Sequence, residues 1–282
     1  MIQDSLFNRV YFSTLLPEAC PATYKGLVEI LDKYGVSHSL MDGTRDIWVR
    51  DFMPVQTCAD GFAAFMYRPD YLLDTRKHAM SISNGMTVAK YTDIEGQFLI
   101  HGLVVDGGNT VHSSRKVIMT TKVFSENPGI TPGRLINMLE NAFLSEVVFV
   151  PWDTSEIYGH TDGICRVIDE NTVLITNYAQ FDKRMAGRFK QCLKPHFNDV
   201  AELHFNTAKP HRNSWAYINW LQTDKVLILP KFGIPEDDQA LEQISSLMPA
   251  YKGRIEQVDA RDLIRYEGCL NCASWTVCQQ YK

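Results

Sequence analysis

Four short polar stretches bring together residue types that can do chemistry. Asp46-Ile-Trp-Val-Arg-Asp-Phe-Met-Pro54 sets two carboxylates, an arginine and a tryptophan close together. Val105-Asp-Gly-Gly-Asn109 places a carboxylate beside two glycines, and Gly159-His-Thr-Asp-Gly163 holds a histidine and an aspartate two residues apart. Near the C-terminus, Glu267-Gly-Cys-Leu-Asn-Cys-Ala-Ser-Trp275 contains a Cys-x-x-Cys, Cys269 and Cys272. A thiol, an imidazole and several carboxylates are on offer, with no hydroxyl nucleophile in a recognisable setting. Cys–His sites that transfer acyl groups add an amide orienter and do not need three or four carboxylates. A carboxylate-rich pocket around a thiol suits a cationic electrophile. The biological one is a guanidinium, whose planar fork can give paired hydrogen bonds to each carboxylate.

Each stretch also has a blander reading. On a strand, His160 and Asp162 would point to one face, yet His-Thr-Asp-Gly is more often a surface turn, as is Asp106-Gly-Gly. Asp46 and Asp51 could pair locally with Arg45 and Arg50, contacts usually worth little. For the cysteine pair, structural zinc needs four ligands; Cys278 lies nearby but no fourth ligand does. A redox pair should open a helix, whereas residues 275–278 read as an apolar strand. Two small buried hydrophobes are the remaining alternative. Spacing alone leaves nucleophile and core residue both open.

The elements that must position these stretches alternate between strand and helix. Strand patterns cover residues 10–16, 36–40, 117–121, 146–150, 172–175, 226–229 and 254–258. Helical spacing covers 17–34, 131–143, 182–193 and 236–247. The class is α/β or α+β. No linker rich in Gly, Ser and Pro interrupts residues 1–282, so one domain is expected. Gly107-Gly108 stands isolated, unlike a phosphate-binding loop. The strand–helix–strand rhythm returns roughly every 50 to 60 residues, a spacing that can mark radial repetition.

Composition narrows the partners. At 282 residues, 45% hydrophobic and 22% charged, with a net charge of −5, the chain has no basic run to bind nucleic acid. No apolar stretch reaches the roughly 20 residues that span a bilayer. Asp4 and Arg9 fall where a signal peptide would be basic then apolar, so the mature chain is expected to start here, in a reducing cytoplasm. Seven scattered cysteines do not form a disulfide framework.

Taken together and in order, the four stretches resemble the agmatine deiminase and bacterial-type peptidylarginine deiminase family of the guanidino-modifying, or pentein, superfamily. Trp48-Val-Arg-Asp-Phe-Met-Pro54 matches its Trp-x-Arg-Asp-x-Gly-Pro motif, and Asp106-Gly-Gly-Asn109 its Glu-Gly-Gly-Asn/Ser motif. Thr120-Thr121 and Asn127-Pro128 follow as they do in the family. Gly159-His-Thr-Asp162 matches Gly-His-x-Asp, and Gly268-Cys-Leu-Asn-Cys272 matches the closing Gly-Gly-Asn-Ile-His-Cys. The order holds from about residue 45 to residue 275. Four departures stand out: Met53 replaces the first motif's glycine, Asp106 is one methylene shorter than Glu, and Cys269 and Asn271 stand for the family's Asn and His. The family's Trp-rich N-terminal segment has no match.

The resemblance implies a pentein α/β propeller, about five ββαβ units with pseudo-fivefold symmetry and the site at the centre. It implies a nucleophile, Cys272, and a proton shuttle, His160, oriented by Asp106. Asp51 and Asp162 would hold the guanidinium and Trp48 would pack on it. Glu156, four residues before His160, reads either as the partner of a distal amine or as a solvated turn carboxylate. No metal or cofactor is implied. The default substrate is agmatine, a small guanidinium, converted to N-carbamoylputrescine and ammonia in polyamine metabolism. Peptidylarginine or free arginine, amidine transfer to an amine, and a non-catalytic binding module are the alternatives. No nucleic acid or membrane partner is implied, and a homo-oligomer is compatible with the reading.

Overall fold

The computed structural model describes residues 1–279. Its strands fall into five three-stranded sheets of one repeated pattern. The first sheet contains β1 (Arg9–Ser13) and β2 (Ser37–Met41). The second contains β3 (Val55–Gln56), β4 (Gly61–Met66) and β5 (Gln97–Val104), and the third β6 (Val111–His112), β7 (Lys116–Thr120) and β8 (Glu146–Val150). The fourth contains β9 (Cys165–Val167), β10 (Thr172–Ile175) and β11 (Asp199–Glu202), and the fifth β12 (Leu221–Gln222), β13 (Leu227–Lys231) and β14 (Ile255–Asp259). The last strand, β15 (Trp275–Val277), pairs antiparallel with β1 and completes the first sheet. In every sheet the central strand meets a short antiparallel neighbour and a parallel one. Parallel pairing demands a crossover, so each unit is ββαβ and the chain's two ends share one sheet.

In four units the crossover is an amphipathic helix. Leu135, Leu139 and Phe143 line the buried face of Pro132–Phe143 at helical spacing. Each such side chain contributes roughly 1.5–3 kcal/mol by leaving water, so Leu139→Ala would open a cavity in a well-packed cluster. The expected helix over 17–34 is two pieces, Leu16–Ala19 and Pro21–Lys33. Pro21 cannot supply the backbone N–H that a continuous helix needs. The strand expected over 10–16 accordingly stops at Ser13. The second unit departs furthest. Its crossover is a series of short turns from Asp70 to Tyr91, and neither β4 nor β5 was expected from sequence.

Candidate active site

Each unit opens on a tight turn just before its first strand, and the chemistry sits on these turns. They are Val49–Phe52 before β3, Gly107–Asn109 before β6, Thr161–Gly163 before β9, Ser214–Ile218 before β12, and residues 271–273 before β15. The turns are buried, so their polar groups must find partners, and they find them in one another. Arg50 N donates to Cys272 O at 3.1 Å, and Gly108 N to Asp51 Oδ1 at 3.0 Å. Thr161 Oγ1 donates to Asn109 Oδ1 at 2.7 Å, Asn219 Nδ2 to Asp162 O at 3.2 Å, and Cys272 N to Asn219 Oδ1 at 3.3 Å. These five links close a ring around the units.

The expected strand under His160 and Asp162 is instead a 3-10 turn led by His160. Both side chains still face the same cleft, of about 1120 Å³. Cys272, Asp51, Trp48 and Glu156 line it too. Asp106 lies behind, buried, with Oδ2 3.1 Å from His160 Nε2. On the ring's other side, His160 Nδ1 is 3.6 Å from Asp51 Oδ1. Two glycines make this packing feasible. A Cβ on Gly108 would fall 2.6 Å from both Asp51 Oδ1 and His160 Nδ1, and one on Gly268 would fall 2.5 Å from the Trp48 ring. Local ion pairs of Asp46 with Arg45 and of Asp51 with Arg50 do not form among the described residues. Arg50 instead donates to Thr276 Oγ1 and Asn271 O.

Around the thiol, Cys272 Sγ donates to Asp162 Oδ2 at 3.4 Å and accepts from Asn219 Nδ2 at 3.2 Å. Asn271 Nδ2 holds the same Asp162 oxygen at 2.8 Å. Asp51 Oδ2 and Asp162 Oδ1 take no hydrogen bond among the described residues. Glu156 accepts from Tyr158 N at 2.9 Å and Gly159 N at 2.5 Å, bracing the segment that delivers His160. Cys269 is buried in the core with Leu270 and Ala273.

The electrostatics follow from burying three carboxylates together. Burial pushes the Asp51 carboxyl up to about 7, with Asp162 and Asp106 adding repulsion against the pull of His160. Burial alone would discharge His160, but Asp51 and Asp106 outweigh it and raise the imidazole to about 10. Burial, then Asp162 and Asp51, push the Cys272 thiol well above its ordinary value, while the Asn219 amide works the other way. The ligand-free site is therefore a protonated thiol and an imidazolium among carboxylates with hydrogen-bonding capacity to spare. An added cation would relieve that repulsion and favour the thiolate.

Sequence reasoning passed over Asn219, Tyr71 and Tyr158, and named Asn271 only as a departure from the family motif, with no role. The two tyrosine rings flank His160 at 6.1 and 6.2 Å. Only the repeat could have pointed to Asn219, which ends the turn before β12 much as Cys272 occupies the turn before β15. The tyrosines come from segments without regular periodicity.

Residues 34–278 match the family described as Porphyromonas-type peptidyl-arginine deiminase. The chain belongs to this family. It is one of deiminases, hydrolases that modify guanidino groups. The C. jejuni agmatine deiminase is similar in structure, with a TM-score of 0.78 and 16% identity over 100% of this chain and 96% of that one. An Enterococcus faecalis agmatine deiminase gives 0.70 and 14% over 97% and 93%. An amidinotransferase from Microseira wollei, of the saxitoxin biosynthetic pathway, gives 0.63 and 12% over 98% and 95%. These likenesses show the fold, the propeller-like pentein architecture. No curated protein matches the chain.

Proposed function

We propose that the protein hydrolyses a guanidinium substrate to a ureido product and ammonia, with agmatine as the substrate and N-carbamoylputrescine as the product. The observation that carries this reading is the thiol of Cys272 held 3.4 Å from Asp162 in a cleft where carboxylates outnumber cations. Asp51 and Asp162 take the guanidinium through their free oxygens, presenting its carbon to Cys272. The bound cation offsets the negative field that keeps the thiol protonated, so the thiol gives up its proton to solvent and the substrate helps to generate its own nucleophile. The thiolate attacks and a C–S bond forms. His160 gives its proton to the departing nitrogen, the C–N bond breaks and ammonia leaves a covalent thiouronium. The now neutral His160 takes a proton from water, whose oxygen attacks the same carbon, and the C–S bond breaks. Asp106 keeps the imidazole oriented and charged between turnovers. Trp48 and Glu156 line the same cleft, and in this reading Trp48 packs on the guanidinium and Glu156 meets a distal amine. Residues 1–282 act as one domain in this reading, since the site draws on the turns of every unit.

Ammonia and ureido product are measured with agmatine, arginine and an arginine-containing peptide, for the wild type and Cys272→Ser. Turnover of agmatine that vanishes in the variant is the expected result. Turnover surviving in Cys272→Ser would remove Cys272 as nucleophile, and release from arginine or peptide alone would replace agmatine.

A further inference from the structure

Lys122 is one of the most completely buried side chains in the molecule, with 1% of its side chain exposed. An ammonium is strongly hydrated, so burying it is costly unless its protons are fully taken up. Here Nζ lies 2.8 Å from Asp70 Oδ1 and donates to Tyr158 O at 2.8 Å and Ile157 O at 3.4 Å. Glu126 Oε1 is 3.4 Å away on the next helical turn. The ammonium also sits over the Tyr71 ring at 4.8 Å and the Trp152 ring at 5.8 Å. Gly159 is pressed against the same side chain, where a Cβ would meet Lys122 Cδ at 2.7 Å.

These partners belong to the two segments that wall His160. Asp70 begins the 3-10 turn carrying Tyr71, and Ile157 and Tyr158 lead directly into Gly159 and His160. Tyr71 and Tyr158 meet edge to face at 4.9 Å above the lysine's partners. A second set of groups is electrostatic. Among the described residues, Asp106 Oδ1 is buried with no hydrogen bond, and both Glu126 carboxylate oxygens are likewise buried without one. Asp106 acts on Lys122 as an attractive charge. Burial and Asp106 together push Glu126 up to about 7, and Lys122 opposes them.

We propose that Lys122 is a positioning residue for the reaction at His160: its ammonium docks the Tyr71 and Tyr158 segments against the imidazole and sets a positive charge among the buried carboxylates behind it. The deimination reading supplies the name of the reaction; the docking and charge roles stand on the geometry. A purely structural lysine would be replaceable by an apolar side chain of similar length with little change in how the site titrates.

The test compares Lys122→Met, which keeps length and removes charge, with Lys122→Arg, which keeps charge. Lys122→Gln serves if the methionine variant does not fold, as judged by thermal melting. In the Met or Gln variant kcat is expected to fall by about a hundredfold, the order of a misplaced acid–base group. The acid limb of its pH–rate profile moves up by about one pH unit, because the carboxylates have lost a countercharge. The arginine variant keeps that limb in place even if its bulk costs rate. Equal losses in all variants with an unmoved limb would overturn the proposal. The pH dependence of Cys272 alkylation by a haloacetamidine is measured on the same proteins and needs no turnover. If the wild type deiminates nothing, the proposed function fails, while the alkylation profile still decides Lys122. A limb that shifts in the uncharged variants alone supports its role, and one that does not refutes it.

Discussion

Two buried histidines in this protein respond to burial in opposite ways. His160 and His112 leave 9% and 6% of their side chains exposed. His160 faces Asp51 and Asp106, and its proton affinity rises to about 10. His112 follows the Gly107–Asn109 turn into β6, where Asp4 lies 3.8 Å away. Burial first, then Arg50, the N-terminal ammonium and Arg166, push it down to about 4, with Asp4 opposing. Desolvation disfavours the charge at both; at His160 neighbouring carboxylates outweigh it, and at His112 neighbouring cations add to it. The difference separates the two regions by purpose. In the His112 cluster the chain supplies the opposing charge itself, through the Asp4–Arg166 pair at 2.7 Å. In the cleft it leaves carboxylates in excess, and an added cation would relieve their repulsion.

The comparison can be broken from either side. The largest expected effect is that of His160→Gln, which keeps a polar group but no proton shuttle. Ammonia release should fall by about a thousandfold, and a loss of less than tenfold would remove His160 from the chemistry. Asp106→Asn is expected to cost about a hundredfold at neutral pH. With one carboxylate gone, the His160 titration followed by NMR should drop from about 10 toward its ordinary 6.5. An unmoved titration would mean that Asp51 alone holds the proton. His112→Gln should leave turnover unchanged and act only on stability. His112 is neutral when folded but takes a proton when unfolded below its ordinary 6.5. Its contribution is therefore lost as pH falls from 6.5 and levels off below about 4. His160, with its raised affinity, contributes stability below 6.5 that is lost as pH rises through about 10. Urea unfolding at pH 6.5 and 4 should show the wild type losing more stability than His112→Gln. Parallel losses would show that His112 stays charged in the fold.

Local pattern made much of the fold legible before any coordinates. β8, β10 and the helix Glu236–Leu247 fall where periodicity placed them, because a buried face imposes its period on neighbouring residues. The second unit escaped because its pattern does not report burial. β5 exposes Leu99 and Ile100 at 61% and 72%, and its crossover lacks a helical period. That same irregular crossover brings Tyr71 to the cleft. Lys122 escaped for a different reason: a lysine reads as surface until tertiary contacts give its ammonium partners.

The sequence by itself determined which reactive types exist, their order, and the rhythm of strand and helix between them. These are consequences of local stereochemistry and of hydrophobic period, and both can be read along a chain. Only the tertiary structure decided that turns far apart in sequence close a ring of hydrogen bonds, and that Asn219 reaches the thiol. It also decided that one buried histidine holds its proton while the other sheds it. Such properties depend on distances between residues remote in the chain and on the water excluded from between them, and no stretch of sequence encodes either alone.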